Sequence, residues 1–266
     1  MNLKEPNELP SALDHVNEML RKKGDRSFLF FFDFDGTLAP IVAQPDQAAL
    51  SDETHTLLKK LAEVYKVAVV SGRDRKDVEA KVNLHNLYYA GSHGFDITGP
   101  NDMHHQHPEA DNILPELEKI ANEFEKAFQE EKQVKVEKKK FAIAIHHRGA
   151  DKGVIEQLEK RVKARLANDQ LLKWDKGKSI IEIKPNVDWN KGKAVLWIME
   201  QLGLNEDNCL PVYLGDDTTD EDAFRELSDK GVSVMVEDHD QKTHAQYAIK
   251  EQKQVAEFIK QILSYA

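Results

Sequence analysis

Asp33 and Asp35 stand two residues apart, after the apolar run SFLFFF at 27–32 and before Gly36-Thr37 in the stretch DFDGTLAPI. Carboxylates are costly to leave dry and unpaired, so the pair needs a cation, a charged partner or water. Three more apolar runs end in polar clusters: KVAVV before Ser71-Gly72-Arg73, LYYA before Gly91-Ser92-His93-Gly94, and PVYL before Gly215-Asp216-Asp217-Thr218-Thr219-Asp220. Lys191-Gly192-Lys193 precedes the last cluster. These residue types suit phosphoryl transfer. One aspartate can act as a nucleophile that forms an aspartyl-phosphate, and a second can give and recover a proton. Mg²⁺ is usually held by one or two carboxylates plus a phosphate, and Asp33, Asp216 and Asp220 offer that oxygen set. Lys191 would neutralise phosphoryl oxygens. A rigid strand end suits Asp33 to in-line attack, and Asp35, across a turn, can reach a leaving oxygen; the residues by themselves permit either division of roles. Each cluster alone also has an ordinary explanation. Asp-Gly pairs are common in solvated turns, and GDDTTDED is a favourable acidic helix start.

What must position these groups is a sheet. A short apolar run closed by a turn signal is expected to be a strand covered on both faces, and ligands in open α/β sheets lie beyond the carboxyl ends of such strands. Along the chain the pattern predicts a helix over 13–21, a strand over 27–32 and irregular chain around Pro40 and Pro45. Next comes a helix capped by Ser51 with Leu57, Leu58 and Leu61 on one face, then a strand at 66–70, a helix at 77–82 and a strand at 87–90. From about residue 110 the rhythm changes. Ile113, Leu117, Ile120, Phe124 and Phe128 line one helix face, strands are expected at 133–137 and 141–146, and Ile155, Leu158, Val162 and Leu166 line a second helix. Strands at 171–174 and 179–183 follow. After Pro185 the α/β rhythm returns with a helix at 191–202, a strand at 211–215, a helix at 221–228, a strand at 232–236 and a helix at 255–263. The fold class expected is therefore α/β, a Rossmann-like doubly wound parallel sheet at 1–108 and 186–266, with an α+β domain inserted at 109–185.

Composition narrows the function. The 266 residues carry a formal net charge of −10, which disfavours general affinity for nucleic acid or an anionic membrane. No apolar run approaches the ~20 residues that span a bilayer, and the leading MNLKEPNELPSALDHV lacks a signal-peptide core. A single cysteine, Cys209, excludes an internal disulfide and favours a reducing compartment, so a cytoplasmic location is expected. An acidic chain that handles an anion needs a local cation, from metal or lysine.

Taken together, DFDGT, SGR, a KG helix start and GDDxxxD resemble the four motifs of the haloacid dehalogenase superfamily. More narrowly, DFDGTLAPI, SGR, GSHG, HHRG, the EIKP run, NKGKAV and GDDTTDEDAF, in that order over almost the whole chain, resemble the trehalose-6-phosphate phosphatase family. The resemblance implies a Mg²⁺-dependent phosphomonoesterase with an α/β core and an inserted cap of the C2 type. It implies Asp33 as nucleophile and metal ligand, and Asp35 as general acid/base that also binds metal through its carbonyl. Thr37, Ser71, Gly72 and Arg73 would surround the phosphoryl group, with Lys191 as cationic partner. Asp216 would complete the metal shell, supported by Asp217 and Asp220. In the cap, Glu137, Lys139, Arg148, Lys178 and Glu182 would bind sugar, with His146 beside them; His147 stands where the family more often has an aromatic residue. The implied ligand is a sugar phosphate, and a trehalose-6-phosphate synthase is the candidate pathway partner. Two alternatives remain: a related phosphatase acting on sucrose- or glucosylglycerol-phosphate, and a silent sugar-phosphate-binding module, which should have lost one of Asp33, Asp35, Lys191 or Asp216. Of the remaining residues, His104, His105 and His107 are expected to stay in a loop rather than bind metal, Cys209 to fill core space before a strand, and Trp174, Trp189 and Trp197 to serve mainly in packing.

Overall fold

The computed structural model describes residues 3–177, 179–237 and 241–266, the side chains of 110 and 111 excepted. Along them run β1 (Ser27–Phe32), β2 (Lys66–Val70), β3 (Tyr88–Gly91), β4 (Asp96–Gly99), β5 (Met103–Gln106), β6 (Lys135–Lys139), β7 (Ala142–His146), β8 (Leu172–Lys176), β9 (Ile180–Pro185), β10 (Cys209–Gly215), β11 (Val232–Val236) and β12 (Tyr247–Ile249). The helices are α1 (Val16–Lys23), α2 (Asp52–Val64), α3 (Arg75–Val82), α4 (Pro108–Asp111), α5 (Leu114–Ala127), α6 (Lys152–Leu166), α7 (Lys191–Gln201), α8 (Glu221–Leu227) and α9 (Gln254–Leu263). The chain divides into two compact units, Met1–His105 with Trp189–Ala266, and Gln106–Asp188.

In the first unit the strand order is β12-β11-β10-β1-β2-β3-β4-β5. Neighbours from β12 to β3 are parallel, and β4 turns back antiparallel to β3. Strand β1 shows why this sheet is covered on both sides. Its even-numbered residues Phe28, Phe30 and Phe32 enter a core with α1, α2, α3 and α9, while Leu29 and Phe31 enter another with α7 and α8. A period of two on an all-apolar strand therefore feeds two hydrophobic layers at once. Because β10 and β2 flank β1, the chain leaves it toward one edge and later returns on the other side. The carboxyl end of β1 thus lies at the point where the strand order reverses, the ligand-binding place of open α/β sheets.

Three strands in this unit carry no recognisable sequence period: β4 (DITG), β5 (MHHQ) and β12 (YAI). They form by adding to strands already present. The expected positions of β2 and β11 are met residue for residue. Cys209, expected ahead of a strand, is instead the first residue of β10 and is fully buried.

The second unit contains a four-stranded antiparallel sheet, β6-β7-β9-β8. Ile143, Ile145, Ile181 and Ile183 point to one face and join Leu117, Ile120, Phe124, Leu158 and Val162 from α5 and α6 in a separate core. Register places Glu137, Ala144, Glu182 and Asp175 in one row on the other face. Strand β6 runs two residues later than expected, because Lys135, Glu137 and Lys139 alternate on the polar face while Val136 turns inward; Lys138 and Lys139 belong to the strand and Lys140 to the turn after it. Lys138, on the apolar side, reaches Asn122 at 2.7 Å and Glu125 at 3.0 Å, its stem lying over α5 while its charge stays at the rim.

Candidate active site

Asp33 continues β1 by one ladder bond, its N–H donating to the Leu214 carbonyl at 2.9 Å. The chain then makes a tight loop in which the Ala39 N–H donates to the Phe34 carbonyl and the Gly36 N–H to the Ala39 carbonyl, at 2.8 and 2.7 Å. Phe34 and Leu38 anchor it in the core. Gly36 has φ +82°, and a Cβ there would stand 2.0 Å from Asp216 Oδ2, so a side chain would both strain the loop and collide with the next carboxylate. Thr37 is fully buried; its Oγ1 donates to Asp216 Oδ1 at 3.2 Å, and its carbonyl accepts from Gln252 Nε2 at 2.9 Å.

Lys191 opens α7, whose N-cap Asn190 accepts from the Lys193 N–H at 2.9 Å. Its buried ammonium donates to Asp33 Oδ1 at 2.8 Å and to Asp220 Oδ1 at 2.7 Å. Burial by itself lowers the pKa of this lysine, but Asp220 and Asp33 more than reverse it, so the ammonium stays charged. Asp220 is wholly enclosed: Oδ1 also accepts from Tyr213 Oη at 2.6 Å, and Oδ2 accepts from the N–H groups of Asp216 and Asp217 at 3.1 and 3.0 Å. Burial, joined by the neighbouring carboxylates, pushes Asp33 and Asp216 above the usual carboxylate range, with Lys191 opposing.

Among the described residues, Asp33, Asp216 and Asp220 form a cluster whose ligand oxygens lie within 4.8 Å of one another. Lys191 serves two of these carboxyl groups, Asp33 and Asp220, and the part-buried Asp216 stands beside them without a bond to the ammonium. The donor set, all oxygen, fits a hard divalent cation. Each oxygen of Asp220 already accepts two hydrogen bonds, which leaves Asp33 and Asp216 the better ligands. The Asp217 carboxylate is exposed and turns to its own loop, accepting from the Thr218 N–H at 2.7 Å.

The second strand end packs beside the first. Ser71 is buried, its N–H donating to the Ala90 carbonyl and its Oγ accepting from the Arg73 N–H at 3.1 Å. The loop after β3 locks onto it: the His93 N–H donates to the Ser71 carbonyl and the Ser92 N–H to the Arg73 carbonyl, at 2.9 and 2.6 Å. A Cβ on Gly72 would meet the His93 ring at 2.8 Å. Arg73, expected at the phosphoryl group, is held by other residues. Its Nε and Nη2 grip the two Asp35 oxygens at 2.6 and 2.7 Å, Nη1 donates to Asp77 at 2.9 Å, and Nη2 also reaches the Pro45 carbonyl at 2.7 Å. The guanidinium lies 5.3 Å from the Phe34 ring centroid.

On the polar face of the second unit, Glu137 pairs with His146 at 2.7 Å and Lys139 with Glu182 at 3.1 Å. The His146 hydrogen bond, helped by Lys139, holds the Glu137 carboxyl below its usual range. Arg148 is exposed in the turn after β7, and Lys178 lies outside the described residues. His147 follows the parity of Ile143 and Ile145 rather than that of His146, and is 5% exposed. His105 stacks on Trp197 at 4.4 Å, while His104 Nε2 lies 3.6 Å from Asp96 Oδ1. Trp174 packs against the core of its own unit. Sequence reading passed over Tyr213, Gln252 and Asp77; the one legible hint was Tyr213, a hydroxyl on a strand otherwise buried and apolar.

Residues 31–256 match the family model described as trehalose-phosphatase. The probable trehalose-phosphate phosphatase E of Arabidopsis thaliana is 38% identical over 271 residues, covering 97% of this chain and 76% of the relative. Two solved structures share the fold. The C-terminal domain of a C. albicans trehalose-6-phosphate phosphatase superposes with TM-score 0.78 at 24% identity over 99% of each chain. A haloacid dehalogenase-like hydrolase from Bacteroides thetaiotaomicron superposes with TM-score 0.62 at 15% identity, covering 89% of this chain and 100% of the other. A clustered acidic site at the switch point of a doubly wound sheet and a family match across most of the chain lead to one conclusion: the chain belongs to the trehalose-phosphatase family, on the haloacid dehalogenase fold.

Proposed function

We propose that this protein hydrolyses trehalose 6-phosphate to trehalose and orthophosphate with Mg²⁺, through an aspartyl-phosphate on Asp33. The observation that carries the reading is the meeting of Asp33 with Lys191 and Asp216 at the carboxyl end of β1. A carboxylate oxygen of Asp33 attacks phosphorus, the bond from phosphorus to the sugar oxygen breaks, and Asp35 gives that oxygen a proton. Water then attacks the phosphorus of the aspartyl-phosphate, Asp35 takes a proton from it, and orthophosphate leaves with the Asp33 carboxylate restored. Lys191 holds Asp33 in place and offsets charge on the transferring group. Thr37, Ser71 and the main chain at Gly72 take phosphoryl oxygens. Asp33 and Asp216, with the Asp35 carbonyl, would hold Mg²⁺, which supplies charge neutralisation on the phosphoryl oxygens when bound.

The unit at 106–188 serves in this reading as the cap, its polar sheet face presenting Glu137, Lys139 and Glu182 to sugar hydroxyls, with Arg148 and Lys178 alongside. Half-buried carboxylates and ammonium groups already paired with one another suit a polyhydroxylated ligand, since each pair can open to accept and donate. The test is phosphate release from a panel of sugar phosphates at matched concentration, with and without Mg²⁺. The expected result is preference for trehalose 6-phosphate, dependence on Mg²⁺ and loss of turnover in Asp33→Asn. A preference for sucrose- or glucosylglycerol-phosphate would replace the substrate; substantial turnover by the Asp33 variant would remove the nucleophile.

A further inference from the structure

Arg73 is 12% exposed at its side chain, and four of its hydrogen bonds are spoken for by groups of the protein. Two go side by side to Asp35, a carboxylate left 41% exposed. The fork is itself braced from three directions: Asp77 on the first turn of α3, the Pro45 carbonyl from the loop before α2, and the Phe34 ring beneath. A parallel two-point contact fixes the plane of a carboxylate as well as its position, which a single ammonium cannot do. The backbone of Arg73 is also pinned, its carbonyl accepting from Ser92 and its N–H donating to Ser71.

We infer that Arg73 is a positioning residue for Asp35: it acts through that carboxylate by fixing its orientation toward the reacting oxygen, and it does not anchor the phosphate. The inference deepens the proposed reaction and rests on the role given there to Asp35. The two roles for Arg73 make opposite demands. An anchor would contact the phosphate directly, would be replaceable in part by the point charge of lysine, and would matter whether or not Asp35 is present. A positioning fork would leave phosphate affinity alone, would not be replaced by lysine, and would lose its importance once Asp35 can no longer transfer protons.

The experiment uses whichever phosphomonoester the panel selects, together with orthophosphate as a competitive inhibitor, so that a wrong substrate and a wrong role for Arg73 give different results. Arg73→Met and Arg73→Lys are made in the natural chain and in Asp35→Asn. The expected result is a fall in kcat of about a hundredfold in both single variants, as for a displaced catalytic group, with KM and the orthophosphate inhibition constant unchanged. In the Asp35→Asn background, neither substitution lowers kcat further. Thermal melting separates a folding defect from this pattern, and the lysine variant, which keeps the charge, guards against the loss of a folded methionine variant. Orthophosphate inhibition weakened tenfold, recovery by lysine, or an additive loss on top of Asp35→Asn would each overturn the inference.

Discussion

Lys191 is the residue on which the site's electrostatics turn. It is 3% exposed at the side chain and balances two carboxylates, Asp33 and Asp220, that are themselves almost fully enclosed. Removing one partner of a buried ion pair strands the other, an effect of about 3–5 kcal/mol. Lys191→Ala is therefore expected to lower stability by that order in urea unfolding, besides abolishing turnover; a variant as stable as the parent would show that the carboxylates are relieved by other means. Asp220 works differently from its neighbours. With four donors already on its two oxygens, it ties Lys191, Tyr213 and the loop N–H groups into one network, and buried networks of this kind stiffen the positions of their members.

At the scale of elements, two helix starts show how the same local device serves different ends. Ser51 caps α2, accepting from the Thr54 N–H at 3.0 Å, and Asn190 caps α7, accepting from the Lys193 N–H at 2.9 Å. Substituting either cap by alanine is expected to cost about 1 kcal/mol of stability. The consequences for activity should part. Helix α2 carries no site residue, so Ser51→Ala should leave kcat unchanged, whereas Asn190→Ala loosens the turn that aims Lys191 and should lower kcat. Equal effects on kcat from the two, measured beside their unfolding midpoints, would deny α7 this aiming role. Strand ends were legible for a related reason: an apolar run interrupted by Asp, Ser or Gly marks both where pairing stops and where a reactive group can stand, as at Asp33 and Ser71. The strands β4, β5 and β12 left no such mark, because pairing with an existing neighbour formed them without any apolar period of their own.

For the whole molecule, net charge and local charge point the same way. A chain of net charge −10 that also clusters three carboxyl groups, two of them buried, carries a repulsive penalty that a bound divalent cation would relieve. Mg²⁺ should therefore raise the thermal transition of the protein, by about 2.7 kcal/mol of stability at a hundredfold excess over its dissociation constant. Asp216→Asn should abolish most of that rise, and a chelator should reverse it in the parent. A transition indifferent to Mg²⁺ would mean that the cluster does not bind it in the absence of phosphate. Among the described residues no helix is long and apolar enough to cross a membrane. The short apolar strands pack into the two hydrophobic layers of the sheet and the separate core of the second unit.

The residue order by itself determined the parallel sheet and pointed to an inserted α+β unit and to Asp33, Lys191, Asp216 and Asp220 as the groups able to do chemistry. Each of these rests on local information: the period of two in β1, the change of rhythm near residue 110, and polar groups following apolar runs. Only the tertiary structure decided what those groups touch. Arg73 meets Asp35 across 38 residues of chain, Thr37 meets Gln252 across 215, and Lys191 meets Asp33 across 158. A long side chain can reach many partners of suitable charge, and nothing in its neighbourhood along the sequence says which one the fold brings within reach. That is why the motif around Arg73 says nothing of Asp35, whose two oxygens its guanidinium reaches in the folded molecule.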